Sequence, residues 1–221
     1  MMHQYKSRKI LIYIFLFFII ATINNKNFSL SNFPNLNNII VLGLDEKSNL
    51  EIIRKLDFLK LDNLFFINKS KIDEIINSNN FVEKYSIHKI YPSSIKVKIE
   101  KAKLLIKTDD DYYLGSNGKF IKLNKQINNI PVIFGDFNIS EFFLFKEIID
   151  KSNFKFENIH KLTFLPSKRW NIETKNGILI KLPRKKLIES FELLDFFLSE
   201  KKNKEIKIID LRQNNQVIID E

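Results

Sequence analysis

Few side chains in this sequence are spaced to do chemistry. The three histidines, His3, His88 and His160, belong to no spaced set of ligands, so a metal site is not expected. His88 falls in an expected strand and His160 in an expected loop. Asp109, Asp110 and Asp111 form a run of carboxylates of the kind that binds divalent cations weakly, but three consecutive acids before a strand read more simply as a solvated turn. Glu141, Glu147 and Asp150 lie on or beside one helix and point outward by their spacing. There is no nucleophile elbow, phosphate-binding loop or dinucleotide fingerprint. The absence of cysteine excludes disulfides, zinc–thiolate sites and thiol catalysis. These residues predict neither an enzyme nor a cofactor.

What remains is the chemistry of the main chain. Residues 206–219, Ile-Lys-Ile-Ile-Asp-Leu-Arg-Gln-Asn-Asn-Gln-Val-Ile-Ile, are rich in β-branched side chains and contain no Pro or Gly. Ile206 and Ile208 alternate with Lys207, while Ile209 and Leu211 face the other way. This predicts a final strand partly covered on both sides. Such a strand can sit at a sheet edge, where unpaired N–H and C=O groups can receive a strand from another chain. Taken alone, the stretch supports the plainer alternative, that it completes its own sheet.

The rest of the chain must position that strand. At 221 residues and 44% hydrophobic content it can hold one large or two small domains. The net charge of +10 would suit nucleic acid, but Lys6, Arg8 and Lys9 precede the first apolar segment, leaving +7 for residues 10–221 with acids interspersed. The 25 Asn, 21 Phe and many Ile and Lys fit a genome poor in G and C, which raises pI without any function. No nucleic-acid partner is expected.

Residues 10–23 carry no charge and follow the three basic residues, predicting a membrane anchor with residues 1–9 as a cytoplasmic tail. Their 14 residues are short of the ~20 that usually span hydrocarbon, and snorkelling Lys and Arg side chains can make up the difference. The rival, a cleaved signal peptide, lacks a small-x-small cleavage pattern after the apolar run. Residues 24–38, with seven Asn, read as a linker.

From 39 to 103 the pattern is β-α-α-β-β. Ile39–Leu42 and Gly43 give a strand and turn. Ser48 and Glu51 have the spacing of a capping box before a helix with Ile52, Ile53, Leu56 and Leu59 on one face. Ser70 caps a second helix carrying Ile72, Ile75 and Ile76. Residues 81–90 and 95–99 are strands around a turn at Tyr91-Pro92. From 104 to 221 the chain is strand-rich. Hairpins are centred near Asn117-Gly118 and Asn176-Gly177. A helix capped by Ser140 places Phe142, Phe145 and Ile149 on one face, and another after Pro183 carries Leu187, Phe191, Leu194 and Leu198 and is followed by Lys201 and Lys202.

Several local patterns, in order, resemble the FtsQ/DivIB family of bacterial cell-division proteins, with affinity to its alphaproteobacterial members. They are Val41-x-Gly43, Phe81-Val82, Tyr91-Pro92 with Ile95, Val97, Ile99 and Glu100, and Ile130-Pro131-Val132-Ile133 with Gly135. Lys168-Arg169-Trp170, Asn176-Gly177, Lys181-Leu182-Pro183 and Ile209-Asp210-Leu211-Arg212 follow. The resemblance implies an α+β protein: a single N-terminal transmembrane helix, a POTRA domain, then a mainly antiparallel β domain with flanking helices. It implies a non-enzymatic inner-membrane scaffold at the division septum, with its C-terminal region in the periplasm. Such a scaffold recruits FtsB- and FtsL-like partners by strand addition, meets other divisome components through the POTRA domain, and helps control septal peptidoglycan synthesis. On this resemblance Arg212, Gln213, Asn215, Val217 and Ile219 line the docking edge and Arg169 meets a partner carboxylate, while Trp170 and Leu211 pack in the core. Two departures stand out. Lys103 and Leu105 lie near the family's Pro and Ala, implying a less rigid connection, and Gln213 replaces an aromatic or apolar residue. The alternative is a POTRA-bearing envelope protein of outer-membrane assembly or secretion.

Overall fold

The computed structural model describes residues 3–23, 34–62, 64, 67–200, 206–213 and 216–220. The chain divides into two compact units, residues 1–79 with 84–100 and residues 80–83 with 101–221.

The first unit begins with helix α1 (His3–Ile23), whose side chains from Lys9 to Thr22 are exposed. No helix among the described residues is long and apolar enough to cross a membrane. Next come β1 (Asn38–Leu42), α2 (Glu46–Lys55), a 3-10 turn (Asp57–Leu61), α3 (Lys69–Asn77), β2 (Val82–Ile90) and β3 (Ser94–Lys101). This is the expected β-α-α-β-β order. The sheet order is β1-β3-β2, with β1 parallel to β3 and Ile39 opposite Ile95. Alternate residues of β1 and β3 bury one sheet face, and Ile52, Leu56, Leu59, Ile72 and Ile76 cover it.

The helix caps correct three expectations. Asp45, not Ser48, caps α2: its carboxylate accepts from the Ser48 N–H at 3.0 Å. Glu51 instead pairs with Lys55 at 2.8 Å. Asn68, not Ser70, caps α3, and Asn138, not Ser140, caps the later helix, each accepting from the serine N–H two residues on at 3.0 Å. In each case an upstream Asn or Asp in extended backbone already holds the amide, and the serine enters the helix.

The second unit is a nine-stranded mixed sheet with order β12-β11-β10-β9-β8-β7-β4-β5-β6. Its strands are β4 (Leu104–Thr108), β5 (Tyr112–Gly115), β6 (Phe120–Lys122), β7 (Val132–Phe134), β8 (Ile159–Phe164), β9 (Trp170–Thr174), β10 (Leu179–Lys181), β11 (Ile208–Asp210) and β12 (Ile218–Asp220). Five neighbouring pairs are antiparallel; β4–β7, β7–β8 and β10–β11 are parallel. Helices α4 (Ile139–Lys151) and α5 (Leu187–Glu200) supply Phe142, Phe145, Ile149, Phe191 and Leu194 to the core cluster shared with β8, β9, β10 and β11. On α5, Leu187 is half-buried and Leu198 is exposed, so the buried stripe is narrower than expected. Lys201 and Lys202 lie outside the described residues.

Two further corrections concern strands. His160 lies in β8, not in a loop. The 206–219 stretch is not one strand but two, β11 and β12, folded back antiparallel with Ile209 opposite Ile219.

Residues 80–83 are held by the β5–β6 turn. The Asn117 amide donates to the carbonyls of Asn80 (2.9 Å) and Val82 (2.8 Å), and the Ser116 hydroxyl donates to Glu83 at 2.6 Å. Ser116 also takes the Lys103 N–H (2.9 Å) and donates its own to the Lys103 carbonyl (2.7 Å). Hydrogen bonds thus hold the main chain of Lys103 on both sides.

Gly43 and Gly135 each follow a strand with φ of +120° and +100°, and each lies against the neighbouring strand's carbonyl. A Cβ would stand 1.8 Å from the Ile99 oxygen and 2.1 Å from the Phe164 oxygen respectively. Gly135→Ala therefore cannot be absorbed by a side-chain shift, and we expect a loss of roughly 3 kcal/mol in the second unit, measured by denaturant titration. In the first unit the Tyr85 hydroxyl donates to Asp73 at 2.5 Å. Burial, and then the Asp73 hydrogen bond, push this phenol up to about 12. Because the folded value is raised, its contribution is complete below the ordinary phenol value of about 10 and is lost as pH rises through about 12. The melting temperature should fall less steeply over that window in Tyr85→Phe than in the natural sequence.

Candidate functional site

The sheet order leaves β12 and β6 at the two edges. On β6 the Phe120 carbonyl already accepts the Asn80 side-chain amide at 2.9 Å. On β12, Ile218 is 52% exposed, Asp220 is exposed and Ile219 is half-buried. The β12 edge is the more open one.

Why β12 stands there follows from the strands beneath it. Trp170, Leu182 and Leu211 align across β9, β10 and β11 through main-chain bonds from Leu182 N–H to the Trp170 carbonyl (3.0 Å) and from Leu211 N–H to the Lys181 carbonyl (2.9 Å). All three side chains are buried, so Trp170 and Leu211 are core residues as expected. Trp170 stacks on Phe145 of α4 with ring centroids 4.5 Å apart and planes 10° off parallel, and Phe164 closes against it at 4.6 Å.

One residue beyond this row stand Arg169 and Arg212, at the same end of the sheet and two strands apart, about 10 Å by ordinary strand spacing. Arg169 is half-buried, and its Nε donates to the Ser167 hydroxyl at 2.9 Å. Arg212 is exposed and clasps Asp210: its Nε lies 2.8 and 2.9 Å from the two carboxylate oxygens, and a terminal nitrogen also reaches Oδ2. The clasp holds the Asp210 carboxyl below its usual range. Gln213 is exposed in the turn between β11 and β12, off the edge strand. Asn215 lies outside the described residues. Val217 is half-buried and packs on the core, and Ile219 sits opposite buried Ile209. Of the expected edge residues that are described, only Ile219 therefore belongs to β12. Ile218, which the sequence pattern does not single out, is the exposed apolar side chain on it. Its one signal is the alternation Val217-Ile218-Ile219, which turns Ile218 away from the core.

Charge divides this end of the sheet. The carboxyl ends of β4, β7, β8, β10 and β11 all lie here, as the pairing directions require. Lys168, Arg184, Lys185 and Lys186 join the two arginines on the β8–β11 side. Asp109–Asp111 and Asp136 occupy the β4–β7 side. Asp111 takes a left-handed backbone in the β4–β5 turn and pairs with Lys107 at 2.6 Å, so the acidic run is a solvated turn. Lys107, by hydrogen bond and charge, lowers the Asp111 carboxyl from its ordinary value. His88 lies on β2, exposed, 3.1 Å from the Ser86 hydroxyl. Among the described residues no group of three His, Asp or Glu is placed to hold a metal ion.

Comparison with known proteins agrees with this architecture. Residues 35–101 match the family model of the POTRA domain, FtsQ-type, and residues 104–212 match that of the cell division protein FtsQ/DivIB C-terminal region. The chain is also 22% identical over 198 residues to the cell division protein FtsQ of Rickettsia bellii, a match covering 84% of this chain and 72% of the relative. With a POTRA domain, a strand-rich domain with Ile-Asp-Leu-Arg at the end of β11, and both family models matched in order, the chain belongs to the FtsQ/DivIB family of cell-division proteins.

Proposed function

We propose that this protein is a non-enzymatic scaffold of the division machinery, anchored in the inner membrane by residues 10–23. Residues 24–38 link the anchor to a POTRA domain at 39–103, which meets other divisome components. The domain at 104–221 lies in the periplasm, receives an FtsB-like partner with its FtsL-like companion, and through them acts on septal peptidoglycan synthesis. The apolar, outward-facing side chains of α1 support the anchor. Its 14 uncharged residues rise only about 21 Å, a shortfall that flanking basic residues at a helix end can make up by reaching for the interface.

The observation that carries the docking reading is β12, a terminal strand on the open edge of a nine-stranded sheet with Ile218 half exposed. A partner segment adds to β12 through main-chain bonds, and alternate side chains supply selectivity. Arg169, whose Nε meets only a neutral hydroxyl among the described contacts, is the cation suited to a partner carboxylate. Gln213 borders the edge from the segment after β11 rather than forming it.

The test places a photoreactive residue at Ile218 of the full chain in dividing cells. The expected main adduct is a small single-pass coiled-coil protein, and Ile219→Pro should abolish it while the first unit stays folded. Adducts confined to outer-membrane or secretion components, or undiminished partner binding by a folded Ile219→Pro protein, would sink the edge-strand reading.

A further inference from the structure

Residues 206–219 have the composition of one continuous strand, yet the chain leaves the sheet after Leu211 and returns as β12. Two features meet at the break. The last ladder bond of β11 runs from the Leu211 N–H to the Lys181 carbonyl. Two residues after Lys181 comes Pro183, which has no N–H to continue the ladder. On β11 itself, the next main-chain donor, the Arg212 N–H, is taken by the Asp210 carboxylate at 3.0 Å. The same carboxylate receives the Arg212 guanidinium through Nε at 2.8 and 2.9 Å and through a terminal nitrogen. A side chain accepting the N–H two residues on is an Asx turn, a local bond that competes with the sheet ladder. Here the guanidinium fork locks the turn in place. Asp210 is largely covered, its side chain 14% exposed against 42% for Arg212. Asp210 is also the register partner of Lys181 on β10 and of Ile218 on β12.

We propose that Asp210 is the positioning residue of the docking edge: by binding both the main chain and the guanidinium of Arg212, it ends β11 and sets the turn from which β12 folds back as the outermost strand. This rests on the reading of β12 as the docking edge. It also reassigns Arg212. The guanidinium that a partner carboxylate would need is already engaged by Asp210, so Arg212 acts on the partner through the shape of the edge, and Arg169 makes the direct contact.

Two readouts on the full chain separate the inference from the reading beneath it. The first is amide hydrogen exchange of the free protein. Asp210→Ala and Arg212→Ala should each speed exchange at residues 218–220 by about tenfold, with β8 and β9 unchanged. The double variant should add little, because one interaction is removed twice. Asp210→Asn keeps an oxygen for the Arg212 N–H but loses the charge, so it should fall between. The second readout is adduct yield from a photoreactive residue at Ile218, which should drop in parallel with the loss of protection. Unchanged exchange in Asp210→Ala overturns the inference, whatever β12 binds. So does Arg212→Ala if it removes the adduct while leaving exchange untouched, because Arg212 would then be a direct contact. A natural chain that gives no adduct, but whose exchange responds as expected, overturns the docking reading and leaves the positioning role of Asp210 standing.

Discussion

In the nine-stranded sheet every strand but the two outermost pairs with a neighbour on each side, and an open sheet must end somewhere. In the second unit one end, β6, has a carbonyl engaged by Asn80, and the other, β12, is a three-residue strand at the end of the described chain. Short edge strands are a common protection against unwanted pairing. The same brevity limits what the edge can do alone. Three residues turn only about two or three main-chain groups outward, each worth a net ~1 kcal/mol. That falls below the 4–15 kcal/mol cost of immobilising a partner. Side chains must supply the rest. In the proposed docking mode, Ile218 offers apolar area and Arg169 a charge-assisted bond that gains from its partial burial.

The edge is useful only if the sheet beneath it is rigid, and that rigidity comes from its covered face. Phe145 stacks on Trp170 and Phe164 tilts against it, binding α4 to β8 and β9, while Phe191 and Leu194 of α5 are buried in the same cluster as Ile180 and Ile209. Losing one such aromatic typically costs 3–5 kcal/mol, more than any surface ion pair in this chain can offset. The exposed pairs Lys151–Glu147 and Lys55–Glu51 are therefore minor. The Asp210–Arg212 clasp differs because it also binds the main chain and sits at the one turn that decides where the edge lies.

Much of this fold was legible in the sequence wherever structure is local. The two glycine-centred hairpins, the buried faces of α2, α3 and α4, and the β-α-α-β-β order follow from periodicity and turn residues. The misreadings have local causes too. Asn68 and Asn138 took caps assigned to serine, since an Asx side chain upstream reaches the same amide first. β8 was hidden because a register shift between Ile159 and Lys161 breaks its alternation, leaving His160 looking like part of a loop. What no local pattern could reveal is the parallel pairing of β4, β7 and β8, and the break after Leu211. That break depends on a carboxylate capturing a main-chain N–H two residues on, in a stretch whose composition otherwise favours a single strand. Hence Ile219 lies in β12 with Val217 just before it, Arg212 and Gln213 lie outside both β11 and β12, and Ile218 is the exposed apolar side chain that composition alone does not mark.

Because the chain has no cysteine, single cysteines can be introduced on a clean background. The most direct test of the proposed strand addition is disulfide scanning between residues 218, 219 and 220 and successive positions of the proposed FtsB-like partner segment. Crosslinks that shift by one partner residue for each step along β12, and are strongest where side chains share a face, would establish a registered strand on this edge. Crosslinks without register, or register found at Phe120–Lys122 on the opposite edge, would contradict it.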